Sequence, residues 1–333
     1  LEAIMPKLTP RMIISLLIAL ALLLLPLITD DDNILTLLLL TFLMAGLASS
    51  WNILGGYTGQ VNLGHAAFFG IGSLITRQMW LGGWPFALSM ASGCVVAGLA
   101  AAVIGLPAFR LKGTYFAIGT LAMAEALRIT IGNILPTVTN LPTEVIRNYE
   151  LAPRYYLMLT AVLLIVAITI YLNNSKLGLG MMAVREDEDA ARAVGVNVLR
   201  VKMIAFVMSA FLAGMIGGAY AFYFVSYYPN FTFGPLFSFD AITVLYVGGV
   251  GTVVGPLIGS VFFVILRDML VKNLQGVHQL VFGLLFIVVV LVLPGGLVEA
   301  WDRIKQYVRI NQSPTKNQHR ETKAQTYPGE NLH

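Results

Sequence analysis

The sequence predicts an all-α, polytopic membrane protein of about eight or nine transmembrane helices, with a broken or re-entrant segment near residues 237–270. Three observations predict it. Apolar residues make up 57% of the 333-residue chain and charged residues only 11%, where a soluble domain carries roughly 25% charge; the mean hydropathy is +0.79. Apolar runs of about 20 residues, the length that crosses a hydrocarbon core of about 30 Å, recur along the chain. Half of the charged residues are gathered in two segments, Lys176–Lys202 and Glu299–Glu330. So little polar surface cannot cover a water-facing globule, and the solvent this chain needs is lipid. A soluble enzyme, a disordered regulator and a nucleic-acid module are thereby excluded. The basic pI of 9.1 does not restore the last of these, because the bases are scattered over short loops without interleaved aromatics. The single Cys94 excludes a disulfide framework and a cysteine metal site.

The expected spans follow in order. Met12–Ile28 is preceded by Lys7 and Arg11, as a secretory signal would be. Pro-Leu-Ile-Thr-Asp-Asp-Asp-Asn (26–33) then offers no small-x-small cleavage site, so the segment reads as an uncleaved first helix. Asn33–Leu54, Asn62–Trp80, Pro85–Ala108, Thr114–Leu135, Tyr155–Leu172, Val201–Phe224 and Val277–Leu293 are the regular spans. Phe237–Leu270 is interrupted by Gly248-Gly-Val-Gly251 and reads as one long tilted crossing or as two half-helices, the second if both termini share a side. Residues 1–298 form one transmembrane domain with an internal loop at 174–200. Residues 299–333 are a polar tail, expected to be disordered, with almost nothing to bury beyond Ile310.

Lysine and arginine set the orientation. With the N-terminus in the cytoplasm and alternating spans, the inside receives Lys7, Arg11, Arg110, Lys112, Lys176, Arg185, Arg192, Arg200 and Lys202. The outside receives Arg77, Arg147, Arg154, Arg267 and Lys272, together with the acids Asp30–Asp32. Arg303, Lys305, Arg309, Lys316, Arg320 and Lys323 of the tail also favour the cytoplasm. Both termini are then inside only if Phe237–Leu270 enters and leaves on the same side.

The loop Gly180–Gly195 carries a pattern of its own. It reads as one short helix between glycines, with Glu188 and Arg192 spaced i, i+4 and Ala190, Ala191 and Ala193 favouring helix. Val184, Ala191, Val194 and Val198 fall on one apolar side, and Gly195 suits a left-handed stop. Glu186, Asp187, Glu188 and Asp189 are consecutive. An anionic bilayer surface would repel them, so a protein partner is the better reading, docked through the apolar side with Arg185 and the acids at the rim. The chain holds no Gly-x-x-x-x-Gly-Lys-Ser/Thr phosphate loop, and the pair Gly-Lys never occurs. Any ATP that drives this protein is bound by another subunit.

Between Gly55 and Gly72 stand six glycines with Thr58, Gln60, Asn62 and His65 among them. Irregular backbone in a membrane is tolerated only against protein or a water-filled cavity, which suits a translocation path as well as a polar inner loop with a small-residue packing face. Gly248, Gly249, Gly251, Gly255 and Gly259 echo this group in the other half of the chain, a faint sign of a repeat. Glu125 and Arg128 share a span at i, i+3. An isolated charge there would cost about 2.5–3.5 kcal/mol on insertion scales, so they are expected to face the bundle interior as an ion pair, near the path or structural. Asp240 is expected to cap its half-helix. His65 has no second histidine at ligand spacing, so no metal site is expected. The outer loop Pro136–Arg154 is long enough to touch an extracytoplasmic partner.

With these motifs in hand, the chain resembles the inner-membrane permease subunits of bacterial branched-chain amino acid ABC importers, and in particular the larger of the two paired permeases. The resemblance runs from about Leu40 to Leu297. It rests on Gly-Gly-Tyr-Thr-Gly-Gln-Val-Asn-Leu-Gly-His-Ala-Ala-Phe-Phe-Gly (55–70), Gly-Thr-Tyr-Phe-Ala-Ile-Gly-Thr-Leu-Ala (113–122), Gly180–Gly195 continuing into Lys202-Met-Ile-Ala-Phe-Val, and Gly-Gly-Val-Gly-Thr-Val-Val-Gly-Pro-Leu-Ile-Gly (248–259). It implies a bacterial inner-membrane assembly of two permeases and two ATPase subunits, served by a periplasmic solute-binding protein, with Met181–Gly195 touching an ATPase. One departure stands out. Pro-Thr-Val-Thr-Asn-Leu-Pro-Thr (136–143) replaces the Thr-Gly-Gly-x-x-Gly-like loop of the family, which leaves other neutral amino acids, urea or short amides open as solutes. An ion-coupled secondary transporter would want more intramembrane carboxylates than Glu125. An intramembrane enzyme would need a catalytic constellation, and none is found.

Overall fold

The computed structural model describes residues 10–29, 31–135, 139–141, 143–274, 276–292 and 295–311. Lys7, Asp30, Lys316, Arg320, Lys323 and positions 136–138, 142 and 293 lie outside the described residues. The elements run α1 (Pro10–Ile28), α2 (Asp32–Thr58), α3 (His65–Leu81), α4 (Phe86–Ala108), α5 (Thr114–Ile134), β1 (Thr139–Asn140), α6 (Thr143–Arg147), α7 (Leu151–Asn173), α8 (Lys176–Glu186), α9 (Glu188–Ala193), α10 (Val198–Tyr223), β2 (Ser226–Tyr227), α11 (Pro229–Thr232), α12 (Leu236–Gly248), α13 (Gly255–Asn273), α14 (His278–Val292) and α15 (Gly296–Asn311).

The chain is an all-α membrane protein. A helix lies at every expected span, and polar side chains set several of the ends. Asp31 caps α2 by accepting from the Asn33 amide (2.9 Å), and Asn197 caps α10 through the Arg200 amide (3.0 Å). Gly59, at φ 71°, ends α2 in the left-handed region that a side chain would resist. Among the described residues, five segments are both long and apolar enough to cross a bilayer: Asp32–Thr58, Phe86–Ala108, Leu151–Asn173, Val198–Tyr223 and Pro229–Gly248.

Helices α2 and α10 form the centre, each buried over most of its length. Helices α3 and α4 pack on one flank of α10, and α7 and the α12–α13 pair on α2. Lipid removes the hydrophobic drive between helices, so association depends on close van der Waals fit through small residues. The α3–α10 crossing shows this. A Cβ on Gly72 would overlap the backbone of Gly214, and one on Gly217 would overlap the backbone of Phe69 and Ser73. Pro26 in α1 lacks an N–H and leaves the Leu22 carbonyl without its helical donor; the Tyr155 hydroxyl of α7 donates to that carbonyl at 2.8 Å.

Arg77 and Arg154 correct the charge map. Both count as outer-loop bases in the sequence, yet both are buried. Arg77 donates to the carbonyls of Ala221 (2.9 Å), Phe224 (3.1 Å) and Val225 (2.6 Å), and Arg154 to that of Phe222 (3.1 Å). The last carbonyls of α10 have no intrahelical donors and form the negative end of its dipole, so the two guanidiniums neutralise it. β1 and β2 pair antiparallel beside this end, Thr139 opposite Tyr227. Burial pushes the Tyr227 hydroxyl up to about 12, so it stays protonated between Ser73 and Thr232 (3.0 Å each).

Helices α12 and α13 form an antiparallel hairpin. Gly248 lies against Gly255 and Gly259 against Val244, and Asp240 pairs with Arg267 at 3.2 Å. Asp240 therefore joins the two arms and does not cap α12, as the sequence suggested; it stands one turn too deep, behind Pro235 at the cap position. The break falls in the expected glycine run. The tail is corrected as well: 299–311 is not irregular but belongs to α15. Leu297, Val298, Trp301, Ile304 and Val308 recur at helical spacing, and Gly296 seats the helix against the Gly248–Gly249 backbone.

Substituting Gly217→Ala is expected to lower the thermal stability of the detergent-solubilised protein by an amount typical of overpacking, about 1–3 kcal/mol. Gly98→Ala should be neutral or stabilising, because its nearest neighbours stand at ordinary contact, 3.6–3.7 Å. A melting curve of each variant checks the contrast.

Candidate functional site

The loop between α7 and α10 folds as two helices, not one. Asp187 ends α8 and caps α9 in extended backbone, its carboxylate accepting from the amides of Asp189 and Ala190 at 2.8 Å each. An aspartate competes for local backbone donors in this way and favours helix starts over helix interiors. The break changes the neighbours. Glu188 pairs with Lys202 of α10 and accepts from the Gln60 amide at 3.3 Å; Arg192 pairs with Asp189 at 2.8 Å, not with Glu188. Ala191, Val184 and Val198 are buried as expected, but Val194 is 79% exposed, because α9 ends at Ala193 and the chain turns at Gly195, φ 90°. Glu188 thus anchors α9 to its own chain. Glu186, Asp189, Arg192 and Val194 form the outward surface.

Arg185, in the last turn of α8, reaches away from that surface. Its guanidinium donates to the Gly56 carbonyl at 2.6 Å, in the last turn of α2, where a cation meets the negative end of a helix dipole. Gly251, at the hairpin tip, lies directly alongside: a Cβ there would strike the Arg185 guanidinium, and its φ of 78° also favours glycine. Asn52 of α2 closes the arrangement, accepting from the Gly251 amide (2.9 Å) and donating to the Thr252 carbonyl (2.9 Å). The two glycine groups far apart in sequence are therefore adjacent in space, and Arg185 of the α8–α9 loop is hydrogen-bonded to the first and in contact with the second. Sequence reasoning missed Asn52 and Lys202. A lysine following Arg200 into the first turns of the long apolar helix α10 was the available signal for the second.

The remaining residues singled out by the sequence fall in two places. Thr58, Asn62 and His65 are fully buried around the α2–α3 turn. The Thr58 hydroxyl donates to the Leu54 carbonyl (2.6 Å), Asn62 accepts from the Gly64 amide (2.9 Å), and His65 Nε2 meets Ser50 Oγ at 2.9 Å. Gln60 is half-buried beside Glu188. Glu125 lies apart, on α5, paired with Arg128, which also donates to Asn230 at 3.0 Å. The pair does not face the interior of this chain's bundle: its side chains are 39% and 29% exposed, because α5 packs against α3, α4 and α11 along one side only. Among the described residues, no three His, Cys, Asp or Glu side chains gather as metal ligands.

Residues 32–290 match the family described as branched-chain amino acid transport system / permease component. The chain belongs to this family. It is 29% identical to the high-affinity branched-chain amino acid transport system permease protein LivM of Salmonella typhimurium over 285 residues, covering 74% of this chain and 65% of that protein. The LivM protein of Escherichia coli is likewise 29% identical, over 302 residues, with 78% and 68% covered. The Escherichia coli permease protein LivH is 26% identical over 282 residues, with 76% and 90% covered. The matched part thus spans about two thirds of the length of the LivM relatives. No solved structure matches the chain at a significant level.

Replacing Arg185 by Gln removes the cation from the Gly56 carbonyl, and the hairpin tip should open more often. Amides of residues 249–254 are expected to exchange hydrogen about tenfold faster, the effect of about 1.4 kcal/mol on local opening, as read by hydrogen-exchange mass spectrometry. Unchanged exchange at the tip would show that Arg185 does not hold it.

Proposed function

We propose that this permease is one of a pair in an ATP-driven importer of branched-chain or other neutral amino acids. Two ATPase subunits bind the nucleotide, and a soluble periplasmic binding protein delivers the solute. The assembly sits in a bacterial inner membrane, with eight or nine spans of this chain and both termini in the cytoplasm. The α12–α13 hairpin enters and leaves on the outer side and places its tip beside Arg185. Thr58, Gln60, Asn62, His65 and Glu125 belong to the walls of the translocation path or brace them.

One observation carries the reading: an exposed acidic helix pair that is pinned through Arg185 to both broken segments of the bundle. A rigid ATPase that grips α9 by Glu186, Asp189 and Val194 would move α8 with it. Arg185 would then pull on the end of α2 and on the hairpin tip together. Similarity to permeases of named branched-chain amino acid transport systems supports amino acids as the solute. The absence of a phosphate loop from the sequence supports ATPase partners.

Reversing Glu186→Lys and Asp189→Lys together leaves the Asp187 cap and the Glu188 anchor in place. The variant is expected to insert normally, to lose co-purifying ATPase and to lose uptake to background. Normal uptake by the inserted variant would refute the docking role. Uptake by the unmodified protein alone, driven by an ion gradient without ATP, would refute the importer reading itself.

A further inference from the structure

Helix α15 begins at the membrane face that carries α8–α9. A Cβ on Gly296 would overlap the backbone of Gly248 and Gly249, and Gly248 is the last residue of the Pro229–Gly248 span. Gly251, at the same hairpin tip, meets Arg185 of α8. From this point α15 cannot re-enter hydrocarbon, because its 16 residues include the charged Glu299, Asp302, Arg303, Lys305 and Arg309. Nor is it a helix for water alone. Leu297, Trp301, Ile304 and Val308 recur at steps of four, three and four, which is one stripe of a helix. The first turn is partly covered, with Val298 against Gly249, but Trp301, the next residue of the stripe, is 59% exposed. Lys305, one turn further, holds its ammonium 5.2 Å from the Trp301 ring centre. Away from the stripe, Glu299 and Arg303 pair at 2.6 Å. The charge that follows has one sign: residues 303–320 hold Arg303, Lys305, Arg309, Lys316 and Arg320 and no acid.

We propose that α15 lies in the headgroup layer of the leaflet on the α8–α9 side and binds anionic phospholipid, with Trp301 as its anchor and Lys305 and Arg309 as its headgroup-binding bases. The inference needs only that the chain is embedded in a bilayer and stands apart from the importer reading. A helix with a charged side and an apolar stripe sinks about 5–10 Å into the boundary between headgroups and acyl chains. Tryptophan favours that depth, where its ring is in apolar surroundings and its N–H is wet. A lysine beside it lays its stem along the apolar surface and carries its ammonium out to the phosphates. The run of bases adds attraction to a negatively charged leaflet. The same leaflet repels Glu186 and Asp189 of α9, so the two short elements at this face are sorted by charge, α9 away from lipid and α15 onto it. With α15 held flat on the surface, its first turn keeps the Gly248–Gly249 backbone of the hairpin at the membrane face.

The test places the full chain in nanodiscs of phosphatidylcholine alone and of equimolar phosphatidylcholine and phosphatidylglycerol, with part of the lipid brominated on its acyl chains near the headgroup. Trp51, Trp80 and Trp84 also emit, so a Trp301→Phe variant serves as the blank, and the difference reports how often Trp301 reaches the lipid. Trp301 is expected to be quenched more strongly in the anionic discs than in the neutral ones, and added salt should remove the excess. Lys305→Gln with Arg309→Gln should lower the ratio of bound to released helix about fivefold for each base removed, the weight of one basic side chain near an anionic leaflet. Lys305→Arg with Arg309→Lys should leave that ratio in place. Glu299→Gln breaks the ion pair within α15 but spares every base, so the ratio should hold or rise; a fall there would show that helix integrity and not charge sets the contact, and would overturn the proposal. Equal quenching in the two lipid compositions overturns it too, as does an unchanged ratio in the inserted Lys305→Gln, Arg309→Gln protein. Trp301 emission that ignores brominated lipid but is shielded when the chain is purified with partner subunits assigns the face to a protein and likewise overturns it.

Discussion

A helix that ends among other helices leaves its last carbonyls where water cannot reach them, and hydrocarbon offers no donor in exchange. The architecture of this permease depends on how that is answered at two places. At one end of the bundle, Arg77 and Arg154 come from α3 and α7 to close α10. At the other, Arg185 comes from α8 to close α2. Each guanidinium combines a charge opposite to the helix dipole with donors that satisfy backbone oxygens, and each therefore fixes a helix end to a neighbouring helix.

The two ends are not equivalent. Arg77 and Arg154 are buried, and Arg154 is also stacked on Tyr149 and Phe222, so the α10 end is rigidly held. Arg185 stands on a short helix at the surface, and its contacts are a carbonyl at the end of α2 and a glycine at a hairpin tip. Under the proposed coupling, a displacement of α8–α9 would reach α2 and the hairpin through Arg185. Close glycine-lined crossings such as α3 on α10 leave no slack, since backbone in contact with backbone cannot be compressed.

Much of the fold was legible in the sequence because hydropathy reports solvent directly. A run such as Val201–Phe224 has only one environment in which it is stable, whereas the Asn197 cap that starts its helix emerged with the structure. The glycine break at 248–251 was legible for the same reason, as a run that cannot continue a helix. The acidic loop was legible as an element but not in its shape. Four consecutive acids are equally consistent with one helix or two until the backbone amides claimed by Asp187 are known. Pairing was the least legible feature. Glu188 has Arg192 four residues away, and yet Lys202 and Gln60, brought in by α10 and the α2–α3 turn, bind it instead.

Composition and pattern alone determined that this chain lives in lipid, where its helices lie, and that half of its charge is gathered in one internal loop and the C-terminal segment. These properties follow from local chemistry: the polarity of a segment and the residues that start or stop a helix. Only the tertiary structure decided which charges are neutralised by helix ends, which acid of the loop is an anchor and which face outward, and that Gly56 and Gly251 meet beside Arg185. Those outcomes depend on distances between segments as far apart in sequence as Asn52 and Thr252, and a carbonyl at the end of a helix carries no mark in the sequence of the arginine that will reach it.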